Sequence, residues 1–108
     1  MKQPDSPCAG TGTTIALVAC LDQAGVRSEA EMNDLYHKIK SRLDTREVEE
    51  LTNTQQLWVK YRDANCAAEH SLYGGGSGVS PVQLACKESM TRARTKELQV
   101  TYAVRLKE

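Results

Sequence analysis

The sequence predicts an all-α fold: a small antiparallel helical bundle of three main helices and a short N-terminal helix, held together by two disulfides. Long segments carry apolar residues at spacings of three and four, the period of an α-helix. Serine, threonine, aspartate and proline stand where such segments begin. Four cysteines are spread along 108 residues, the length of one domain. We therefore expect a tail over residues 1–12 and one helical domain over residues 13–108, with Cys8 tying the tail to the domain.

The first two predicted helices are separated around Gly25. Residues 13–21 form a short helix capped by Thr13, and apolar residues on nearly all its sides predict burial. Ser28 and Glu31 then have the spacing of a capping box, so a second, amphipathic helix is expected over residues 28–43. Its core-facing row is Met32, Leu35, Tyr36, Ile39 and Leu43.

A third helix, over about residues 47–72, is predicted to be the central one. Asp44 and Glu47 provide another capping box, and neither Gly nor Pro interrupts the segment. Two adjoining rows run along it, which indicates contact with two neighbouring helices. One row comprises Val48, Leu51, Gln55, Trp58, Arg62 and Cys66. The other comprises Leu57, Tyr61, Ala64, Ala68 and Leu72.

A glycine-rich segment at residues 73–79 is the break between the third helix and the last. Ser80, Pro81 and Gln83 provide a serine cap, a proline at the first helical position and a glutamine at the third. We expect the last helix to cover residues 81–106 and to form a hairpin with the third. One face of this helix carries Cys86, Met90, Ala93, Glu97 and Val100, with Leu98, Tyr102 and Leu106 on the adjoining row.

The four cysteines favour disulfides and an oxidising compartment over a zinc site. They are widely spaced, contain no Cys-x-x-Cys motif, and the two histidines are isolated from each other. Four cysteines allow three pairings. We prefer Cys66–Cys86, because both lie about two turns from the hairpin loop, and this leaves Cys8–Cys20. Each bridge should contribute about 3 kcal/mol by restricting the unfolded chain.

Composition and charge exclude several classes of protein. Fourteen basic residues balance fourteen acidic ones, which argues against nucleic-acid binding and against a polybasic membrane-surface protein. No apolar run approaches the ~18 residues of a transmembrane helix. Residues 1–5 show no signal peptide, so we expect that a leader was removed and Met1 added.

Charge is unevenly distributed along the chain despite the overall balance. Residues 22–50 carry eight acidic and five basic side chains, and residues 87–108 carry three acidic and six basic ones. Pairing between helices is the ordinary explanation of such an imbalance. An acidic patch for a basic partner is the alternative.

The candidate interaction residues are Arg62, Asp63 and Tyr73, together with the loop over residues 74–80. Tryptophan and arginine dominate many protein interfaces, so Trp58 beside Arg62 is compatible with a recognition patch. Burial is the more frequent fate of tryptophan, with the arginine stacked on it or paired with a carboxylate. We therefore predict structural roles for Trp58 and Tyr61.

No catalytic, cofactor-binding or metal-binding residues are predicted. The sequence offers no paired carboxylates, metal cluster or nucleophile–base pattern above chance, and Cys66 is expected to be bonded. The glycine-rich loop lacks the Gly-Lys-Ser/Thr ending of a phosphate loop. We therefore interpret the chain as a non-enzyme without a cofactor.

One run of residues resembles a known family. WVKYRDANC at residues 58–66, YGGGS at residues 73–77, the later Cys86 and TRAR at residues 91–94 resemble the LprI-type lysozyme-inhibitor domains. The resemblance implies a small helical, disulfide-bonded bacterial domain that is secreted or periplasmic, with some members acting as lysozyme inhibitors. The expected function is therefore an envelope module that binds a protein partner, lysozyme being the candidate. A structural or accessory envelope domain without inhibitory activity is the alternative.

Overall fold

A computed structural model describes residues 7–8, 10–76 and 80–107. Three long helices and a short one follow in order: α1 over Thr14–Lys40, α2 over Thr45–Leu72, α3 over Pro81–Thr101 and α4 over Ala103–Leu106. No strand occurs in these ranges, so the all-α prediction is confirmed. Parts of the predicted tail and of the 74–80 loop lie outside the described residues.

The prediction of two helices before residue 43 is wrong, because α1 is continuous through Gly25. Thr13 is the cap as predicted, and its hydroxyl accepts from the Ala16 N–H at 3.1 Å. Ser28 does not cap a helix; it is buried, and its hydroxyl bonds to another helix. Capping-box residues are tolerated inside a helix when tertiary bonds use their side chains. Burial expected for the first turns is also wrong, since Ile15 is exposed.

The other two helix starts agree with their sequence signals. Asp44 accepts from the Glu47 N–H at 2.8 Å, while the Glu47 carboxylate accepts from the Asp44 N–H at 3.0 Å. Ser80 caps α3 by accepting from the Gln83 N–H at 3.2 Å. These bonds satisfy N–H groups that have no partner inside the helix, and they fix where α2 and α3 begin.

The three long helices run up, down and up. Cys66 bonds to Cys86 and Arg94 bonds to Gln55, so α2 and α3 are antiparallel. Ser28 contacts Glu88, and the Arg42 side chain lies within 3.4 Å of the Arg105 carbonyl, so α1 runs in the same direction as the α3–α4 segment. The antiparallel order of consecutive helices is therefore confirmed.

The central helix is α3, and the prediction that α2 is central is wrong. Both α1 and α2 make their extensive contacts with α3. The first predicted row of α2 does face the interior, with Leu51, Gln55, Arg62 and Cys66 buried. Its second row is exposed along its whole length: Leu57, Tyr61, Ala64, Ala68 and Leu72. The sequence reveals an apolar row on a helix, but it does not reveal which helix packs against that row.

Two core clusters and two disulfides hold the arrangement. One cluster centres on Leu21, Ala24 and Ala85, and the other on Met32, Ile39, Leu51 and Leu98. Both preferred disulfides are confirmed, with Cα–Cα distances of 5.9 Å for Cys8–Cys20 and 5.6 Å for Cys66–Cys86. The first disulfide joins Cys8 to α1, and the second joins α2 to α3 near the loop between them.

The helical structure is interrupted after α2 and again near the end of the chain. Gly74, Gly75 and Gly76 have φ angles of 104°, 65° and 101°, a region that favours glycine, so these residues end α2 in a turn. The last helix is shorter than predicted, because Tyr102 interrupts it between α3 and α4.

Candidate functional site

A groove of about 540 Å³ lies between α1 and α3 and is closed at its floor by one residue of α2. Its walls are one face of α1 from Leu21 to Asn33 and one face of α3 from Leu84 to Thr91. Arg62 is the contribution of α2. The size lies in the range of small-ligand and side-chain binding sites. Apolar residues line one part of the groove, and charged residues line the rest.

Arg62 connects all three long helices at the floor of this groove. It is only 9% exposed, and its guanidinium contacts Glu29 of α1 at 3.1 Å and Thr91 of α3 at 3.2 Å. Its Nε donates to Asp63 at 3.0 Å. A planar guanidinium can make these bonds in fixed directions, which a lysine cannot reproduce. Arg62 therefore sets the relative positions of the three helices.

Trp58 supports the same guanidinium from below. The Arg62 Cζ lies 5.1 Å from the ring centroid of Trp58, and the Arg94 Cζ lies 6.0 Å from it. Trp58 itself is partly buried and packs against the cluster around Leu51 and Leu98. Stacking of arginine on tryptophan is favourable in both electrostatic and dispersion terms. The structural interpretation of Trp58 and Arg62 thus accounts for the observed contacts.

A second polar cluster forms the α3 wall, and the sequence did not reveal it. Glu88 is 2% exposed, accepts from the Ser28 hydroxyl at 2.5 Å and pairs with Arg92 at 2.8 Å. A buried carboxylate requires such partners. The available signal was the spacing of Ala85, Glu88 and Thr91, which places Glu88 on the buried row of α3. Ser28 had instead been assigned to a cap.

The rim of the groove carries carboxylates that remain accessible. The side chain of Glu29, which lines the groove, is 43% exposed, and that of Asp63, which lies beside the groove, is 47% exposed, although both pair with the buried Arg62. Lys87 approaches Asp63 at 3.7 Å from α3. Asp22, which is exposed, lines the same groove. The accessible charge at the rim is therefore predominantly negative, with Lys87 as a partial counterweight.

The structure brings Arg62 and Asp63 together at the groove but leaves Tyr73 elsewhere. The prediction that Arg62 is an exposed contact residue is wrong, because its guanidinium is buried. Asp63 is partly exposed at the rim. Tyr73 is exposed at the end of α2, eleven residues and therefore ~16 Å along the helix axis from Arg62. Tyr61 is 62% exposed and does not fill the core, contrary to the structural role predicted for it.

The carboxyl of Asp44, which lies at the start of α2 and away from the groove, has a lowered pKa. The N–H of Glu47, the side chain of Glu47 and the charges of Arg46 and Arg105 together lower the pKa of Asp44 below its usual 3.8, the backbone bond contributing most. Asp44 is the cap of α2, so this shift belongs to helix stability.

Comparison with known proteins adds the family. The family model described as lysozyme inhibitor LprI matches residues 5–98, which is most of the chain. The chain belongs to the LprI lysozyme inhibitor family. A curated relative of this LprI chain is the uncharacterized protein R02472 of Rhizobium meliloti (strain 1021), 26% identical over 111 residues that span 91% of this chain and 80% of the relative. No solved structure matches this LprI chain.

The groove of this LprI chain carries groups that are suited to binding a basic side chain. Within residues 7–8, 10–76 and 80–107, no three His, Cys, Asp or Glu side chains are grouped to hold a metal ion. None of the described helices is long and apolar enough to cross a membrane. The groove offers accessible carboxylates beside an apolar wall, held in place by a buried guanidinium. Such a surface can receive a basic side chain with an aliphatic stem.

Proposed function

We propose that this protein is an envelope binding module that inhibits a lysozyme by occupying a surface needed for its activity. The observation that carries the proposal is the match of the lysozyme inhibitor LprI family model to residues 5–98. Disulfides between all four cysteines support secretion or a periplasmic location, where such bonds persist. The protein acts by binding, without chemistry of its own.

The contact surface in this proposal is the rim of the groove. Glu29 and Asp63 each leave about half of their side chains accessible while Arg62 holds them in place from beneath. Charges fixed in this way lose little side-chain entropy when a partner binds. A basic side chain of the lysozyme would pair with these carboxylates, and its aliphatic part would lie against the apolar wall.

The test is lysozyme-driven lysis of bacterial cell walls, followed by turbidity. Adding the protein at rising molar ratios should slow lysis until the lysozyme is saturated. The double variant Glu29→Gln/Asp63→Asn should need about ten times more protein for the same effect, since two rim charges contribute on the order of 1.4 kcal/mol together. The matched control is Glu49→Gln/Glu50→Gln, which removes two exposed charges of α2 elsewhere.

Each outcome of this assay separates the competing explanations. No inhibition at a large molar excess over several lysozymes would remove the inhibitory claim and favour an accessory envelope domain. Inhibition that survives the double variant but is lost on Tyr73→Ala would move the contact surface from the groove to the end of α2. Circular dichroism of each variant verifies that the helices are intact.

A further inference from the structure

A second surface, which we call the outer face, is apolar and lies away from the groove. It is formed by the second row of α2 and an adjoining row of α3. Its members are all exposed: Leu57, Tyr61, Ala68, Leu72, Ala93 and Val100. Leu57 is 66% exposed and Tyr61 62%, so these large side chains contact little within the chain. Apolar side chains in a continuous exposed group mark a surface that is covered by something else.

The two rows belong to one face because the seam between them is visible in the contacts. Asn65 of α2 is exposed, and its amide approaches the Met90 Sδ at 3.4 Å on α3. Tyr61 and Ala68 lie one turn to either side of Asn65, and Ala93 lies one turn after Met90. The seam therefore runs through the middle of the face.

α1 does not cover this face, because it packs on the other side of the α2–α3 pair. Gln55 contacts Met32 of α1 at 3.5 Å. Leu57 follows Gln55 by two residues, which is ~200° around the helix, so it projects away from α1. The apolar rows of α2 thus face in two directions, and α1 and α3 account for only one of them.

The size of the face fits a small dimer interface. α3 has 21 residues and is ~31 Å long, and two helices side by side are ~20 Å wide, which gives ~600 Å² per copy. Two copies would bury ~1,200 Å², the lower limit of specific protein interfaces. Pairing two helices with two helices is also the geometry of a four-helix bundle.

The charge of the face favours a second copy over a charged partner. Glu97 is the one acidic residue in its α3 row, and Arg94 already pairs with it. Lys60 and Lys96 are exposed and lie one turn from Leu57 and Ala93, so the face does not attract a strongly basic protein, whereas the groove rim does. The whole chain has a formal net charge of zero, so two copies do not repel each other.

We propose that two copies of this chain associate through the outer face as a symmetric dimer. The two-helix faces pack together and cover Leu57, Tyr61 and Val100 in both copies. The dimer leaves both grooves open, because the grooves lie on the opposite side of each α2–α3 pair. An interface at the small end of the range predicts dissociation constants in the micromolar range.

Sedimentation equilibrium on the oxidised protein from about 1 µM to about 500 µM tests the proposal, since this range brackets micromolar dissociation. We expect the mass to rise from 11.9 kDa towards twice that value. Leu57→Glu/Tyr61→Glu should raise the dissociation constant at least tenfold, and Leu72→Gln, a milder change on the same face, should raise it severalfold. Ile15→Glu is the matched control, an exposed apolar residue off the face.

A chain that stays monomeric at 500 µM overturns the proposal, and so does a dimer that all outer-face variants leave intact. A monomer whose lysozyme inhibition is lost in Leu57→Glu/Tyr61→Glu would assign the face to the lysozyme instead and also overturn it. Inhibition is measured on the same samples, so a failure of the dimer is distinguished from a failure of the proposed function. Circular dichroism confirms that each variant is folded.

Discussion

Arg62 shows how a single buried cation can organise a small helical protein. Its guanidinium contacts Glu29, Asp63 and Thr91 and stacks over Trp58, so one side chain touches three helices. Its carboxylate partners are about half exposed, and water therefore screens both ion pairs. The position of the guanidinium, more than the strength of any one pair, explains its contribution to the fold.

Replacing Arg62 tests the importance of that geometry. Arg62→Ala should lower the free energy of unfolding by about 2–3 kcal/mol, because charged hydrogen bonds and the stack on Trp58 are lost together. Arg62→Lys should recover less than half of that loss, since an ammonium cannot make the forked contacts. Urea unfolding with both disulfides intact measures both variants. A lysine variant within about 0.5 kcal/mol of the parent would contradict this role for the guanidinium.

The residue patterns predicted part of this site for identifiable reasons. Helical spacing placed Trp58, Arg62 and Cys66 on one row, and all three do face inward. From the sequence, the adjacent Arg62 and Asp63 could be either exposed or bonded within the fold, because burial depends on which helix packs against them. Glu88 was missed because a glutamate in a charged helix is ordinarily solvated, and its partner Ser28 is 60 residues away.

At the scale of elements, the continuity of α1 is the clearest departure from the sequence prediction. Gly25 was interpreted as a helix end, yet it lies inside a helix of 27 residues. Glycine ends helices when the chain turns after it, and nothing in local sequence reveals that the chain continues straight. Packing of α1 along α3, through Ala24 and Ser28, stabilises the helix on both sides of Gly25 and keeps it continuous.

Gly25→Ala should therefore stabilise the protein. A Cβ added at Gly25 meets no atom within 4 Å, and alanine in a helix interior is favoured over glycine by about 0.5–1 kcal/mol. The matched control is Gly74→Ala, where φ is +104° and the same methyl should destabilise the fold. Thermal unfolding followed by far-UV circular dichroism compares the two. A loss of stability in Gly25→Ala would show that the continuous helix is strained at this residue.

The cap of α2 makes stability depend on pH in a defined direction. Bonding to the Glu47 N–H lowers the pKa of Asp44 below 3.8 in the folded state. A lowered folded pKa stabilises the protein above the unfolded pKa, and this contribution is lost as the pH falls through the lower, folded value. Asp44→Asn keeps a capping side chain without the charge.

The expected result is a difference between parent and Asp44→Asn that is constant above about pH 5 and shrinks towards about pH 2. Urea midpoints at a series of pH values measure it. Asp44→Ala is the control, since it removes the cap itself and should be less stable at every pH. A parent–asparagine difference that persists unchanged at the acid end would show that the carboxylate charge does not stabilise α2.

At the scale of the whole molecule, the bundle is organised around α3, with α1 and α2 on either side of it. The sequence predicted the all-α class, the start of α2 and of α3, the antiparallel order and both disulfides, because periodicity, caps and the distance of each cysteine from the loop are local properties. It could not predict which helix is central. α2 has two apolar rows and α3 has a mixed one, yet α3 is central because its buried polar residues Glu88, Thr91 and Arg94 find partners on both neighbours.

The two disulfides allow a test of whether the tail belongs to the same cooperative unit as the helices. Cys8–Cys20 closes a separation of 12 residues and Cys66–Cys86 one of 20. Loop-closure entropy assigns about 3 kcal/mol to each and a difference of only about 0.5 kcal/mol between them. We therefore expect Cys8→Ala/Cys20→Ala and Cys66→Ala/Cys86→Ala to lose similar free energies of unfolding, measured in urea with the other bridge intact.

Unequal losses would locate the boundary of the cooperative unit. Cys8 is as fully buried as Cys66, so each bridge also fills space in the interior. A loss below about 1 kcal/mol without Cys8–Cys20, together with a loss of about 3 kcal/mol without Cys66–Cys86, would mean that the segment around Cys8 unfolds before the helices do. Equal losses would place Cys8 in one cooperative fold with α1, α2 and α3, because chain entropy stabilises only a segment that unfolds with the rest.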